Sequence, residues 1–290
     1  MENMLTFITP DNYILNAYYL GPEKTDSIFI FVHGLSSSMF GIENLSKYLK
    51  TDKYGVLTFN NRGNGIISKI RKLNPESKKG YDSELIGSAH EIFTDCVCDI
   101  EGAINYALEN KFKNIYLVGH STGCQKIVYS ASILQDKYKQ LKGLMLLAPI
   151  SDYAAIKHLE PKNKITKAYK YSLKKIKKGK GHEMLPTKIW DGLHAAQRFI
   201  SLNDPNSEEE IFCYSQDKKP ETLMKVKLPI IAIVGEQDQF LDRSAYDLMD
   251  WFKKYLKNND ATSVISEADH GFTSKEKEVS EVVLRYIDSI

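Results

Sequence analysis

Residues 118–125 read VGHSTGCQ and hold a Gly-x-Ser-x-Gly pattern: Gly119, His120, Ser121, Thr122, Gly123. The pattern has chemical meaning in one setting, with a strand before the serine and a helix after it. The hydroxyl then stands on a sharp turn above the edge of a sheet. Both neighbours are present. NIYLVGH (114–120) is an apolar run of strand character, and TGCQKIVYSASIL (122–134) has helical spacing. Glycines suit the two flanking positions, because side chains there would strike the neighbouring strand and helix. The helix start behind Ser121 aims free N–H groups and a positive dipole end at the place where negative charge would develop.

Outward from this turn, short apolar runs alternate with helical patterns. LTFIT and YILNAYYL, separated by Pro10-Asp11-Asn12, predict an N-terminal hairpin. SIFIFVHG, YGVLTFNNRG, NIYLVGHS, GLMLLAP, PIIAIVGEQD and ATSVIS follow. Most are continuous runs, as expected for strands buried on both faces of a parallel sheet. Helical patterns fall at 41–49, 93–108, 125–134, 246–256 and 275–290. The alternation predicts an α/β fold with a mostly parallel central sheet of about eight strands and helices on both faces. Between residues 151 and 227 no buried strand is evident. Helix-like stretches at 165–176 and 187–200 and the polar SLNDPNSEEE predict a helical cap or lid at 151–227, set between core segments 1–150 and 228–290.

A serine hydroxyl needs a base, and the base needs an orienting acid. Among seven histidines, His270 in EADHGF lies just past the last predicted strand, on a loop that reaches the carboxyl edge where such sheets bind ligands. Asp238 in VGEQDQF lies just past the penultimate strand. Asp242 is a rival acid that reads better as the N-cap of the next helix. Asp269, adjacent to His270, ranks low because neighbouring side chains point apart. The backbone N–H groups of Thr122 and Leu35, with Ser36 as the alternative to Leu35, are the expected oxyanion-hole donors. One such donor is worth about 3 kcal/mol in the transition state. His33, in the His-Gly turn upstream, reads as a buttress of that loop, and Cys124 as a packed thiol.

Composition bounds the rest. The 290 residues are 42% hydrophobic and 26% charged with a net charge of +2, so no overall field draws in nucleic acid. The four cysteines lack zinc-site spacing, and no metal or cofactor site is expected. Free thiols, a start without a basic n-region, and the lack of an 18-residue apolar run predict a cytoplasmic protein without integral membrane association. Nine lysines and no acid lie between Lys162 and Lys180. They read either as a solvated helix face or as attraction for an anionic substrate, partner or membrane surface. Tyr153, Tyr169, Trp190 and Phe199 read equally as an acyl pocket or as the lid's own core.

Taken together, HGLSSS, FNNRGNG, GHSTG, GEQD and ADHGF make nearly the whole chain resemble the α/β-hydrolase superfamily. The nucleophile–acid–base order Ser121, Asp238, His270 fits that resemblance. FNNRGNG, AHEIFTDCVCDIEGAINYAL and GHSTGCQ are similar to a subgroup that includes fungal esterases hydrolysing siderophores, which does not fix a substrate. Asn61 stands where many hydrolases carry an acid before Arg-Gly, so a loop salt bridge is expected to be absent. The resemblance implies a cofactor-free serine hydrolase, foremost a carboxylic-ester hydrolase acting on a small-molecule ester. Thioesterase, amidase and lipase chemistry share the machinery, and a receptor with little turnover shares the fold.

Overall fold

A computed structural model describes residues 2–41, 43–257 and 260–290. The chain opens with antiparallel strands β1 (Glu2–Ile8) and β2 (Tyr13–Leu20), joined through the Pro10-Asp11-Asn12 turn, with Asn12 in the left-handed region. Strands β3 (Ser27–Val32) and β4 (Tyr54–Phe59) follow, with helix α1 (Glu43–Leu49) between them. Two strands absent from the sequence prediction come next, β5 (Ser68–Leu73) and β6 (Tyr81–Ile86). They are polar because they form a largely solvated hairpin at the end of the sheet.

Helix α2 (Cys96–Glu109) leads to β7 (Asn114–His120), and α3 (Thr122–Leu134) to β8 (Leu141–Leu147). The segment from 151 to 227 carries α4 (Asp152–Leu159), α5 (Lys162–Ile176), α6 (Ala196–Asn203) and the short α7 (Glu221–Lys225). The chain then returns to the sheet as β9 (Ile230–Gly235), α8 (Ala245–Tyr255), β10 (Ala261–Ile265) and α9 (Glu276–Ile287). The ten-stranded sheet runs β10-β9-β8-β7-β3-β4-β2-β5-β6, with β1 paired to β2. From β10 to β4 every pairing is parallel, and from β4 outward every pairing is antiparallel. Strand β2 serves two partners in succession: residues 17–20 pair with β4, and Tyr13 and Ile14 pair with β5.

The unbroken apolar runs are explained by burial on both faces. In β3, Ile28, Ile30 and Val32 pack into one core with Ile104 of α2 and Ile127 of α3. Phe29 and Phe31 point the other way, into a core shared with Leu45 and Leu49 of α1 and Val279 and Val283 of α9. Strand periodicity of two divides one run between two layers.

Two expectations are corrected. Helix was predicted over 187–200, but residues 187–195 are irregular and only α6 is helical. Leu193 adopts a left-handed backbone (φ 53°) beside Gly192, and the chain folds back so that Leu185 N–H donates to His194 O. Asp242 does not cap α8. Ser244 does, its side chain accepting from Asp247 N–H, while Asp242 pairs with Arg243.

The turn at Ser121 depends on its glycines. A Cβ at Gly123 would lie 2.1 Å from Val32 O, and one at Gly119 2.5 Å from Gly123 O. Both obstacles are backbone atoms that cannot rotate away. Gly123→Ala is expected to destabilise the fold by about 3 kcal/mol or more, measured by urea unfolding.

Candidate active site

Ser121 sits between β7 and α3 with φ 55° and ψ −126°, a region that non-glycine residues seldom occupy. The strain is held by flanking hydrogen bonds: Ser121 N–H donates to Leu147 O at 2.9 Å, and Cys124 N–H to Ser121 O at 2.8 Å. Ser121 faces a cavity of about 420 Å³ whose wall also includes Leu35, Thr122 and His270. The loop after β3 approaches closely, since a Cβ on Gly34 would lie 2.9 Å from Ser121 Cβ.

His270 lies on the loop after β10 and Asp238 on the loop after β9. His270 Nδ1 is 2.7 Å from Asp238 Oδ2, and both side chains are buried. Asp238 is itself fixed by accepting from Phe240 N–H at 2.9 Å. With Nδ1–H donating to the carboxylate, Nε2 of His270 is left as an acceptor. The ring is held edge-on to Phe240 at 4.6 Å, and its carbonyl oxygen is 2.8 Å from His120 Nε2. Asp269 accepts from Thr273 N–H and Oγ and makes no such pair with His270.

His33 fits the buttress reading. It is 1% exposed, with Nδ1 2.9 Å from Gly34 O and Nε2 accepting from Asn61 N–H at 3.3 Å. Burial lowers its pKa to about 4, so the ring is neutral. Cys124 is buried with its thiol donating to Gly119 O and Leu147 O at 3.2 Å. Burial raises its pKa well above the ordinary range, which disfavours a thiolate.

Linked to His33 through Asn61 is a buried charge network that sequence reasoning missed. Lys126 of α3 and Arg198 of α6 are both fully buried. Lys126 pairs with Glu91 and donates to Asn61 Oδ1 at 3.3 Å. Asn61 therefore makes a neutral contact, and the charge of Lys126 is met by Glu91 instead; the loop still carries ion pairs, contrary to expectation, because Arg62 binds Asp99 at 2.7 Å and Asp11 at 2.8 Å. Arg198 Nη2 lies 2.9 Å from Glu91 and 3.0 Å from Glu209, and its Nε–H donates to Ser88 O. The available signal was a single basic residue within an apolar helical pattern, IVYSASIL after Lys126 and FISL after Arg198.

At one end of this network, Asp152 is half-buried and lines the cavity. Its Oδ2 accepts from Gln125 Nε2 at 2.8 Å. Desolvation, reinforced by the charge of Glu209, raises its pKa to about 8. An unfolded Asp ionises near pH 4. Between pH 4 and 8 the unfolded chain thus loses a proton that the folded chain keeps, and stability falls as pH rises through that window. Asp152→Asn removes this penalty. Its Tm relative to wild type is expected to be higher at pH 8 than at pH 5, read by calorimetry at both.

The aromatic residues of the 151–227 segment divide between the two readings. Trp190 and Phe199 stack edge-to-face at 5.0 Å in a small core of their own, with Tyr169 packed against it. Trp190 also lines the cavity. Tyr153 lies beneath the Lys157 ammonium at 4.8 Å. None of the nine lysines of 162–180 lines the cavity. Among the described residues, no group of His, Cys, Asp and Glu is arranged to hold a metal ion, and no helix is long and apolar enough to cross a membrane.

Comparisons with known proteins agree with this architecture. A family model described as "Protein of unknown function (DUF1749)" matches residues 90–290. A Mycoplasma genitalium protein named "Putative esterase/lipase 2" is 27% identical over 141 residues, covering 48% of this chain and 44% of that protein. The chain thus spans less than half the length of this curated relative. A siderophore hydrolase, EstB from Aspergillus fumigatus, superposes with a TM-score of 0.70 at 17% identity, covering 100% of this chain and 98% of that one. Est1E from Butyrivibrio proteoclasticus, solved with ferulic acid bound, gives 0.62 at 19% identity, covering 97% and 99%. The fold is that of the α/β-hydrolases, with ten strands where about eight were expected.

Proposed function

We propose, from the premise that the chain belongs to the DUF1749 family within the α/β-hydrolase superfamily, that it is a serine hydrolase of carboxylic esters. Ser121 is the nucleophile, His270 the general base and Asp238 the orienting acid. The observation that carries this reading is the 2.7 Å pair between His270 Nδ1 and Asp238 Oδ2, with His270 and Ser121 on the wall of one cavity. The esterase and lipase names of the relatives support the same reaction class.

In the proposed cycle Ser121 Oγ attacks the ester carbonyl carbon as its proton passes to His270 Nε2. The oxyanion receives the N–H groups of Leu35 and Thr122. Collapse expels the alcohol, which takes the proton from His270. Water then attacks the acyl-enzyme, giving its proton to His270. Collapse releases the acid and returns the proton to Ser121. Residues 151–227 act as a lid, since α4 and the 190–203 stretch supply much of the wall facing Ser121.

The test is hydrolysis of 4-nitrophenyl butyrate together with labelling by a fluorophosphonate. Turnover with a single label on Ser121 is expected. A protein that neither hydrolyses the ester nor takes the label overturns the reading.

A further inference from the structure

The cavity beside Ser121 carries two carboxyl groups on its wall, Asp152 and Glu160. No Lys or Arg lines it among the described residues, and Lys164 of α5 stands behind the wall on Glu160 and Trp190. Its wall is mostly apolar, with Ile150, Ile156, Trp190 and Leu202 among the contributors. The polar groups on that wall, apart from the Ser121–His270 centre, are of a particular kind. His120 and His194 are held neutral, each with a pKa lowered to about 4 by desolvation. Glu160 is paired with Lys164. Asn203 uses its Nδ2–H on Phe199 O, leaving its oxygen as an acceptor. The Thr122 hydroxyl is buried without a partner.

Asp152 is the carboxyl on this wall that makes no ion pair, with Arg198 and Lys126 acting on it only at longer range. Its one hydrogen bond comes from a neutral amide, Gln125. The cations nearest in the structure are already matched. Arg198 is held by Glu91 and Glu209, and Lys126 by Glu91. Glu91 and Glu209 balance Lys126 and Arg198, whereas Asp152, its pKa raised to about 8, keeps its proton at pH 7 in the free protein. A cation arriving on the cavity side favours the ionised form of Asp152, which gives up its proton and meets the cation as a desolvated carboxylate.

We propose that the cavity selects esters carrying a protonated amine, which Asp152 receives, with Asn203 as a neighbouring acceptor. The rest of the chain of such a substrate lies against the apolar wall. Asp152 in this role sets specificity and takes no part in bond making. The inference deepens the esterase reading and rests on it for the reactive group.

The test uses three probes of one length at pH 7: n-hexylamine, 1-hexanol and hexanoate. Each is measured as a competitor of 4-nitrophenyl butyrate hydrolysis and, by calorimetry, as a ligand of the Ser121→Ala protein. The amine is expected to bind at least tenfold more tightly than the alcohol, and hexanoate most weakly. In Asp152→Asn the amine-to-alcohol ratio is expected to fall towards one. A wild-type protein that binds hexanol or hexanoate as well as the amine overturns the proposal, as does an Asp152→Asn protein that keeps the preference. If that variant does not fold, the wild-type ranking decides alone. Calorimetry needs no turnover, so an amine preference without ester hydrolysis would sink the esterase reading and spare this one. Hydrolysis without the preference would do the reverse.

Discussion

Replacing Ser121 with alanine is expected to lower kcat for a short-chain ester by about 10⁴-fold or more, with KM changed far less. The asymmetry follows from what the hydroxyl does. In the proposed mechanism it forms a bond in the transition state and contributes little to ground-state binding, so its removal falls on kcat. Its neighbours offer no substitute. Cys124 is one helical turn on, but its thiol is buried and bonded to two carbonyl groups. Fluorophosphonate labelling should vanish in the same variant. An Ser121→Ala protein that keeps full activity would move the nucleophile elsewhere.

The largest expected loss of stability away from the site comes from Arg198→Leu. The guanidinium is wholly buried and holds Glu91, Glu209 and the carbonyl of Ser88 together. Leucine fills part of the space and leaves Glu209 without a cation. Removing one member of such a buried set costs about 3–5 kcal/mol, chiefly the desolvation of the charge left behind. Chemical denaturation should show this, and the double variant Arg198→Leu/Glu209→Leu should recover part of it. A single variant within about 0.5 kcal/mol of wild type would mean that water reaches Glu209 and solvates it.

The parallel half of the sheet and its carboxyl-edge residues were legible because burial on both faces writes itself as unbroken apolar runs. Ser121 and Asp238 each follow such a run, whereas His270 follows the half-buried ATSVI of β10. The hairpin of β5 and β6 was not legible in the same way. Its strands are solvated, so SKIRKL and YDSELI carry charges where a core strand would carry valine. The turn-forming NPESKKG between them was the usable sign. The charge network was hidden for the opposite reason. Lysine, arginine and glutamate are read as solvent-facing by default, and only the tertiary fold brings Glu91, Lys126 and the Arg198 and Glu209 pair together from three separate segments. Residues 187–195 show a third kind of failure, in which apolar spacing resembled a helix but Gly192 and the left-handed Leu193 turned the chain back.

Strand β10 has one neighbour, β9, and is the last member of the parallel series. The loop it carries delivers His270. The serine, by contrast, follows β7, which is clasped between β3 and β8. An outermost strand can detach at lower cost than an inner one, as local opening without global unfolding. The nucleophile and its proposed base are therefore anchored with unequal firmness. Mild heat or denaturant is expected to act first on the strand that carries His270, so that loss of ester hydrolysis, followed alongside circular dichroism, precedes melting while the turn at Ser121 stays intact.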